Sequence, residues 1–333
     1  MKIPKPKRLA AKIIFKTENL HDFETKMYSR MKYGDPIATK RIALHLASAI
    51  TNHPFVQKLI ISEEPILITS SAFGVIPTAS YSVAREVTKL LQSLDVKHDR
   101  IKFERGGDFA TNHYGTMSAD ERSAAMNKRQ IFLSKTDKEK IKNKHVLIID
   151  DISVTGSHEK KLHQLLSESG AKDWIFAYYY LLGKKIAAQS PETEEDLNRS
   201  EIRTVLDLIP FFKDYSKNTG YKLRLNSRVL KFILTTTPES IYDVDAYTKE
   251  AHLKYFFKKI DDIVLARLYK AINSSDGYSL DPKYATGINI LNEEICQRDT
   301  LHKFLTKIKQ FLNNLSSDSP QIEQEVDIIT TNN

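Results

Sequence analysis

The chain has 333 residues, 41% apolar and 28% charged, with a formal charge of +8 and a single cysteine, Cys296. One cysteine excludes an intramolecular disulfide and a cysteine-built metal cluster, and no apolar run reaches the length of a membrane span. The length suits two domains, or one domain with a large extension, and the positive charge is spread along the chain, so it marks no nucleic-acid patch.

The basic segment Met1 to Tyr33 shows no assignable element. Its run Leu9 to Phe15 is interrupted by Lys12 and no cleavage site follows, so it does not read as a secretory signal, and a cytoplasmic protein is expected. Asp35-Pro36 predicts a helix start, an N-cap acid before proline at the first helical position. Ile37, Ile42, Leu46, Ala49 and Ile50 give that helix an apolar face, and Pro54 lies beyond its end. Ile66 to Ile68 reads as a short buried strand. The loop Thr69 to Pro77 follows, rich in small residues, in which Ser70, Ser71 and Gly74 offer hydroxyl and backbone donors. Pro77 is expected to open a helix ending near Leu94.

Ile101 to Phe103 reads as another strand. The stretch Glu104 to Gly115, with paired glycines and aromatics, suits a segment that closes over a ligand. Ser118 to Glu121 has capping-box spacing, Arg122, Lys128 and Arg129 follow, and Gln130 to Leu133 is expected to return as a strand.

The most informative stretch is Val146 to His158. Four apolar residues, Val146 to Ile149, run into Asp150 and Asp151, and a turn Ser153-Val154-Thr155-Gly156-Ser157 leads to a helical pattern from Glu159 to Glu168 closed by Gly170. The apolar run is that of a buried parallel strand, and ligands of open α/β sheets bind beyond the carboxyl ends of strands. Thr155, Gly156, Ser157 and His158 lead into a helix, so their N–H groups form an anion site suited to phosphate, and Gly156 permits close approach. The two acids are acceptors, suited to sugar hydroxyls or to a hydrated Mg²⁺. A diol beside a terminal phosphate describes a ribose 5-phosphate. The alternatives are an acid pair that only caps and solvates a helix start, and a Walker-B strand end, which needs an upstream GxxxxGK[ST] loop. No such loop is present, since Gly183-Lys184 lacks the first glycine.

Trp174 to Leu182 reads as the next parallel strand, and its three tyrosines as buried sheet residues rather than a base-stacking platform. Gln189 to Glu201, polar with Pro191, marks a boundary. From about Ser227 the pattern is helical, with an amphipathic stripe through Leu253, Phe256, Phe257, Ile260, Ile263, Val264, Arg267 and Leu268 and a further helix from about Leu291 to Leu312. His163, His252 and His302 lack metal-ligand spacing. The tail from Ser316 has a disordered composition. The expected division is 1–188, 201–315 and the tail 316–333.

The stretch 146–158 resembles the phosphoribosyl pyrophosphate (PRPP) motif of type I phosphoribosyltransferases. The resemblance implies an α/β fold, a parallel-sheet core followed here by a mainly helical C-terminal domain. It implies that Asp150 and Asp151 hold the ribose 2- and 3-hydroxyls and approach Mg²⁺ through water, and that Thr155, Gly156, Ser157 and His158 hold the 5-phosphate. Val154 and His158 stand where the family often has Thr or Ser. The loop with Ser70, Ser71 and Gly74 resembles the family's pyrophosphate loop, and the segment after it resembles the flexible loop, with Arg105 as the cation for the leaving pyrophosphate. Pro77 to Ser80, Tyr114, Ser118 and Arg122 are similar to phosphoribosyltransferase-like proteins of bacterial tellurium-resistance gene clusters, over residues 33–182. The expected reaction is transfer of ribose 5-phosphate from PRPP to an unidentified small-molecule acceptor such as a nucleobase, with Mg²⁺ as cofactor. A non-catalytic PRPP or nucleotide sensor signalling through the helical domain, and hydrolytic or phosphorylase chemistry, are the alternatives. A homodimer is compatible with the sequence, and neither a membrane nor a nucleic acid is indicated as a partner.

Overall fold

The computed structural model describes residues 7–15, 22–106, 130–190, 192–213, 225–239, 242–274 and 276–298. The chain divides into two compact units, Met1–Ile202 with Leu223–Arg228, and Arg203–Lys222 with Val229–Asn333.

The first unit is built on a five-stranded sheet in the order β1-β7-β6-β2-β3. Its strands are β1 Lys7–Ile14, β2 Ile66–Ser70, β3 His98–Arg100, β6 His145–Ser153 and β7 Asp173–Leu182, and every pairing is parallel. Strands β4 Phe103–Gly106 and β5 Gln130–Leu133 form a separate antiparallel pair. The helices are α1 Asp22–Lys32, α2 Pro36–Thr51, α3 Pro54–Ile61, α4 Ala79–Gln92, α5 Lys135–Ile141, α6 Ser157–Glu168, α7 Lys184–Gln189 and α8 Thr193–Asn198.

Alternate side chains of a strand face opposite sides of a sheet. Leu147 and Ile149 of β6 join Ile42, Leu46 and Ile50 of α2 and Val83 and Val87 of α4 in one core. Val146 and Ile148 join Ile141 of α5 and Leu162 and Leu166 of α6 in the other. Both faces are therefore covered, and β6 carries an unbroken apolar run instead of an alternating one.

Asp35 caps α2 as expected, accepting from the N–H of Ile37 at 2.8 Å and Ala38 at 3.3 Å. Several details differ from the sequence reading. Pro54 opens α3, because the His53 side chain accepts from the N–H of Phe55 at 3.2 Å and makes a cap. Thr78, not Pro77, caps α4, accepting from the N–H of Tyr81 at 3.4 Å. The strand expected at Ile101 to Phe103 is two short strands. β3 stays in the main sheet and β4 leaves it to pair with β5, so Ile101 and Phe103 are both buried at the divergence. The segment left unassigned supplies β1 at one edge of the sheet, and α1.

The second unit is mainly helical. A 3₁₀ turn Val205–Leu208 leads into α9 Ile209–Lys213 and is followed by α10 Ser227–Leu234, of which Val229 onward belongs to this unit, α11 Ala246–Lys259, α12 Asp262–Ile272 and α13 Ala285–Arg298. The amphipathic stripe is divided between α11 and α12. Asp261 caps the second of these, accepting from the N–H of Val264 at 2.9 Å, and Ile260 ends the first. The last helix begins at Ala285, earlier than expected; its expected end near Leu312 and the tail 316–333 lie outside the described residues. No helix among the described residues is long and apolar enough to cross a membrane.

Candidate functional site

β6 does not stop at its apolar run. It carries both acids within the strand and ends at Ser153. Asp150 lies opposite Tyr178 of β7, and its neighbour Ile149 lies opposite Ser70 of β2. The loops leaving β2 and β6 thus emerge side by side at the carboxyl end of the sheet.

The two acids have different surroundings. Asp151 is buried, 7% exposed. Its Oδ2 is ion-paired with the Nζ of Lys32 and accepts a hydrogen bond from Tyr28 Oη at 2.8 Å. Glu194 Oε1 lies 3.9 Å from the same ammonium. Burial pushes the Asp151 carboxyl up, but the Lys32 charge and hydrogen bonds from Asp150, Lys32 and Tyr28 outweigh it and bring the carboxyl down to about 2. Asp150 keeps part of its surface exposed and accepts from the Asp151 N–H at 3.0 Å. Burial and the neighbouring Asp151 charge hold its carboxyl well above the usual range. One acid of the pair is a fixed carboxylate, and the other retains its proton far longer.

The turn after the acids is built around Gly156, whose φ of 71° lies in the left-handed region, where a side chain is strained. Gly156 is the N-cap of α6 and supplies no side-chain acceptor, so the helix opens on backbone N–H groups. Thr155 Oγ1 lies 3.0 Å from Ser157 Oγ and accepts weakly from the Ser157 N–H at 3.4 Å. His158 is half-buried in the first turn, and Val154 packs on the core.

A cation absent from the sequence reading stands over this turn. A Cβ built on Gly156 would lie 3.4 Å from Nη2 of Arg8, on β1. Arg8 donates to Glu159 Oε1 from Nε at 2.9 Å and from Nη2 at 2.8 Å. Glu159 is buried at 2% exposure and its other oxygen accepts from Tyr178 Oη at 2.7 Å. Burial disfavours the guanidinium charge, but the Glu159 hydrogen bond and charge more than offset this and raise the Arg8 pKa. Arg8 uses one edge of its guanidinium on Glu159, and the group has further N–H donors.

In the loop after β2, Ser70 and Ser71 are both buried. Ser70 Oγ donates to the Ser71 carbonyl at 3.2 Å. Ser71 Oγ lies 3.1 Å from Thr78 Oγ1 and also contacts Ser80 Oγ, so this hydroxyl serves the loop itself. The Gly74 carbonyl accepts from Lys102 Nζ at 2.8 Å. Lys102 also pairs with Glu104 at 2.9 Å and lies over the Phe73 ring at 4.6 Å. Arg105, on β4, is half-buried, and its main-chain N–H donates to the Phe73 carbonyl at 3.2 Å. The structure thereby joins the β4 strand to the Ser70–Gly74 loop through the backbone. Gly107 to Gly115, Ser118 to Glu121, Arg122, Lys128 and Arg129 lie outside the described residues.

Lys32, Tyr28, Arg8, Glu159 and Lys102 escaped the sequence reading. Their one local signal is the i, i+4 spacing of Tyr28 and Lys32, which puts a tyrosine and a lysine on one helix face. The rest depends on β1 and α1 meeting β6 and α6 in space.

A divalent ion is held by several oxygens arranged around it. Among the described residues no group of three or more His, Cys, Asp and Glu side chains could hold a metal ion. Lys32 and Tyr28 already engage Asp151 Oδ2, and Asp150 favours its proton. The acid pair in this arrangement does not fit direct ligation of a Mg²⁺ ion, as distinct from the approach through water expected for Asp150 and Asp151.

A family model described as PRTase ComF-like, a group of phosphoribosyltransferases, matches residues 10–291. No curated protein matches the chain in sequence. Among solved structures, the chain is similar to a hypoxanthine-guanine phosphoribosyltransferase of L. donovani, at 12% identity over 43% of this chain and 71% of that one, with a TM-score of 0.30. It is also similar to a hypoxanthine phosphoribosyltransferase of Staphylococcus aureus, at 19% identity over 42% and 61%, with a TM-score of 0.28. A purine phosphoribosyltransferase of Pyrococcus horikoshii is similar at 16% identity over 43% and 82%, with a TM-score of 0.25. With a family match spanning most of its length and two acids near the end of a central strand in a parallel sheet, the chain belongs to the PRTase ComF-like family.

Proposed function

We propose that this chain binds PRPP at the carboxyl end of β6 and transfers its ribose 5-phosphate to a nucleobase-like acceptor, releasing pyrophosphate. The observation that carries this reading is the succession Asp150, Asp151, left-handed Gly156 and the opening of α6, with the Arg8 guanidinium beside Gly156. Hydroxyl acceptors and a phosphate site follow one another there within one strand and one turn, as a sugar phosphate requires.

In this reading Asp150 and Asp151 accept from the ribose 2- and 3-hydroxyls. The backbone and hydroxyls of Thr155 to His158 receive the 5-phosphate, and Arg8 supplies charge there in place of the hydroxyls missing at Val154 and His158. The loop of Ser70, Ser71 and Gly74, with Arg105 beside it, faces the pyrophosphate. In the reaction the bond from the anomeric carbon to pyrophosphate breaks and a bond to the acceptor forms, with loss of the acceptor's proton. The anomeric carbon becomes oxocarbenium-like as pyrophosphate departs, and backbone donors of the Ser70–Gly74 loop stabilise the negative charge that develops on the leaving group. The similarity to phosphoribosyltransferase-like proteins of tellurium-resistance gene clusters belongs to this reading, as do a cytoplasmic site of action and the division at residues 188 and 201.

The test is pyrophosphate release from PRPP across a panel of nucleobases and related acceptors, beside the PRPP affinity of the same protein. Release that disappears in Asp150→Asn with Asp151→Asn supports the transferase. Tight PRPP binding without release from any acceptor replaces it with a regulator that reads PRPP, and no binding at all refutes both.

A further inference from the structure

Lysine is among the residues least often buried, because its ammonium loses hydration there. Lys32 is nonetheless only 8% exposed. It ends α1, and three groups from three elements meet its ammonium: Asp151 of β6, Glu194 of α8 at 3.9 Å, and the Tyr28 ring of α1 at 5.6 Å. The helix that carries it is itself held in place. Ser29 Oγ donates to the Asn198 carbonyl at 2.5 Å and accepts from the Ile202 N–H at 3.1 Å. Arg30 Nε reaches Asp35 at 2.6 Å, and the Lys32 carbonyl accepts from Asn226 Nδ2 at 3.2 Å. The ammonium is part of the packed structure and has no slack to leave Asp151 for a passing ion.

A metal ion held on Asp151 Oδ2 would have to displace Lys32 and Tyr28 together. Removing a cation's partner inside a protein leaves an uncompensated buried charge, a costly state. An approaching Mg²⁺ would also face the positive charge of Lys32 at close range and would have to shed part of a hydration shell it holds strongly.

We propose that Lys32 is the resident cation of the acid pair. It neutralises Asp151 and lets this strand end take a ribose phosphate without a divalent metal. The identity of the ligand rests on the reading above; the exclusion of metal from the pair rests on Lys32 alone.

Two measurements on the full chain test this. The first is Mn²⁺ titration followed by electron paramagnetic resonance, with no organic ligand. Wild type and Asp151→Asn should bind Mn²⁺ alike, as should Lys32→Arg, which keeps the charge. Lys32→Met should gain a site at least about tenfold tighter than any in wild type, since the Asp151 carboxylate is then uncompensated. A wild-type Mn²⁺ site that Asp151→Asn removes overturns the proposal, whether or not Lys32→Met folds. The second is calorimetry with ribose 5-phosphate, which has no pyrophosphate to carry a metal of its own. Its affinity for wild type should agree within about twofold in Mg²⁺ and in EDTA, whereas a fall of about tenfold or more in EDTA refutes the metal-free site. Absence of ribose 5-phosphate binding in both buffers would instead refute the phosphoribosyl reading, and the Mn²⁺ comparison would still decide the role of Lys32.

Discussion

Arg8, on the first strand, and Glu159, in the first turn of α6, are joined by contacts of 2.9 and 2.8 Å to one carboxylate oxygen. A buried acid at the start of α6 would repel an anion from the proposed phosphate turn, and Arg8 cancels its charge. The pair therefore fixes the charge of the turn, and the two partners predict opposite effects when changed.

Glu159→Gln keeps a hydrogen-bonding oxygen for Arg8 and removes the negative charge. Affinity for ribose 5-phosphate should rise by about threefold or more, in line with the strength of charged hydrogen bonds. Arg8→Gln should lower it by about tenfold or more. Affinity for ribose without its phosphate should change little in either variant. The Arg8 side chain is 41% exposed and that of Glu159 is 1% exposed, so the stability cost of Arg8→Gln lies between those of surface and buried pairs, about 1–3 kcal/mol. Urea unfolding with calorimetry on the same preparations separates the two effects. Equal losses for phosphorylated and unphosphorylated ribose would show that Arg8 acts through the fold.

The turn itself predicts a distinction among substitutions at Gly156. At a φ of 71° a non-glycine residue is strained, and asparagine least among them. Gly156→Ala should cost about 1–2 kcal/mol in the turn, and Gly156→Asn less. The space is not the obstacle, because a Cβ would meet Arg8 Nη2 at an ordinary 3.4 Å. If asparagine restores phosphate binding that alanine loses, backbone conformation is the requirement; if both lose it equally, the bare approach to Gly156 is.

How much of this was legible beforehand follows from the range of the interactions. The acid-ended strand, the glycine turn and α6 form one contiguous segment, and local rules described each of them: a buried apolar run, a helix opening and Gly170 at its end with a φ of 75°. β1 was not legible, because an edge strand carrying Arg8 and Lys12 has no clean apolar alternation and its pairing with Ile175 to Leu182 is supplied only by β7. The partners of Asp151 lie on α1, 119 and 123 residues away in sequence, beyond any motif. The segment read as a polar boundary carries α8, where Glu195 pairs with Arg199 at 3.0 Å and with Arg228 at 3.6 Å. Its polarity reflects a buried ionic network, which composition alone cannot tell from a solvated linker.

Asp150 predicts a stability cost that depends on pH. Burial and Asp151 raise its carboxyl well above the usual value in the folded chain. A group whose folded pKa is raised favours folding below its unfolded pKa and loses that contribution as pH rises towards the folded pKa. Wild type therefore sacrifices stability at Asp150 above about pH 4, the ordinary value of an aspartate. Asp150→Asn should melt higher than wild type at pH 7 and at nearly the same temperature at pH 3. Asp151, lowered to about 2, has the opposite sign: its contribution is present above about pH 4 and fades as pH falls towards 2. Asp151→Asn should accordingly destabilise at pH 7. Thermal melts of both variants at the two pH values check the signs, and a lower melting temperature for Asp150→Asn at pH 7 would contradict a raised Asp150 carboxyl.

The helical unit makes a prediction free of any ligand. Gly287 of α13 sits against the end of α10, where a Cβ would fall 2.4 Å from the Leu234 carbonyl oxygen, 2.8 Å from its Cα and 2.9 Å from its carbonyl carbon. All three atoms belong to the backbone, so no side-chain rotation can relieve them, and the helices must separate. Alanine is the better helix former by about 1 kcal/mol, which sets the intrinsic gain against the clash. Overpacking a core typically costs about 1–3 kcal/mol, occasionally more, and contact with rigid backbone belongs at the upper end. Gly287→Ala should therefore destabilise the second unit by about 2 kcal/mol or more net of the propensity gain, and Gly287→Val by a larger margin. Hydrogen exchange resolved along the chain is the appropriate measurement, because it reports Leu253, Phe256 and Leu291 of this unit separately from β6 and β7. Faster exchange confined to the second unit is the expected result; unchanged protection there would mean that α10 and α13 lie farther apart in solution than these contacts require.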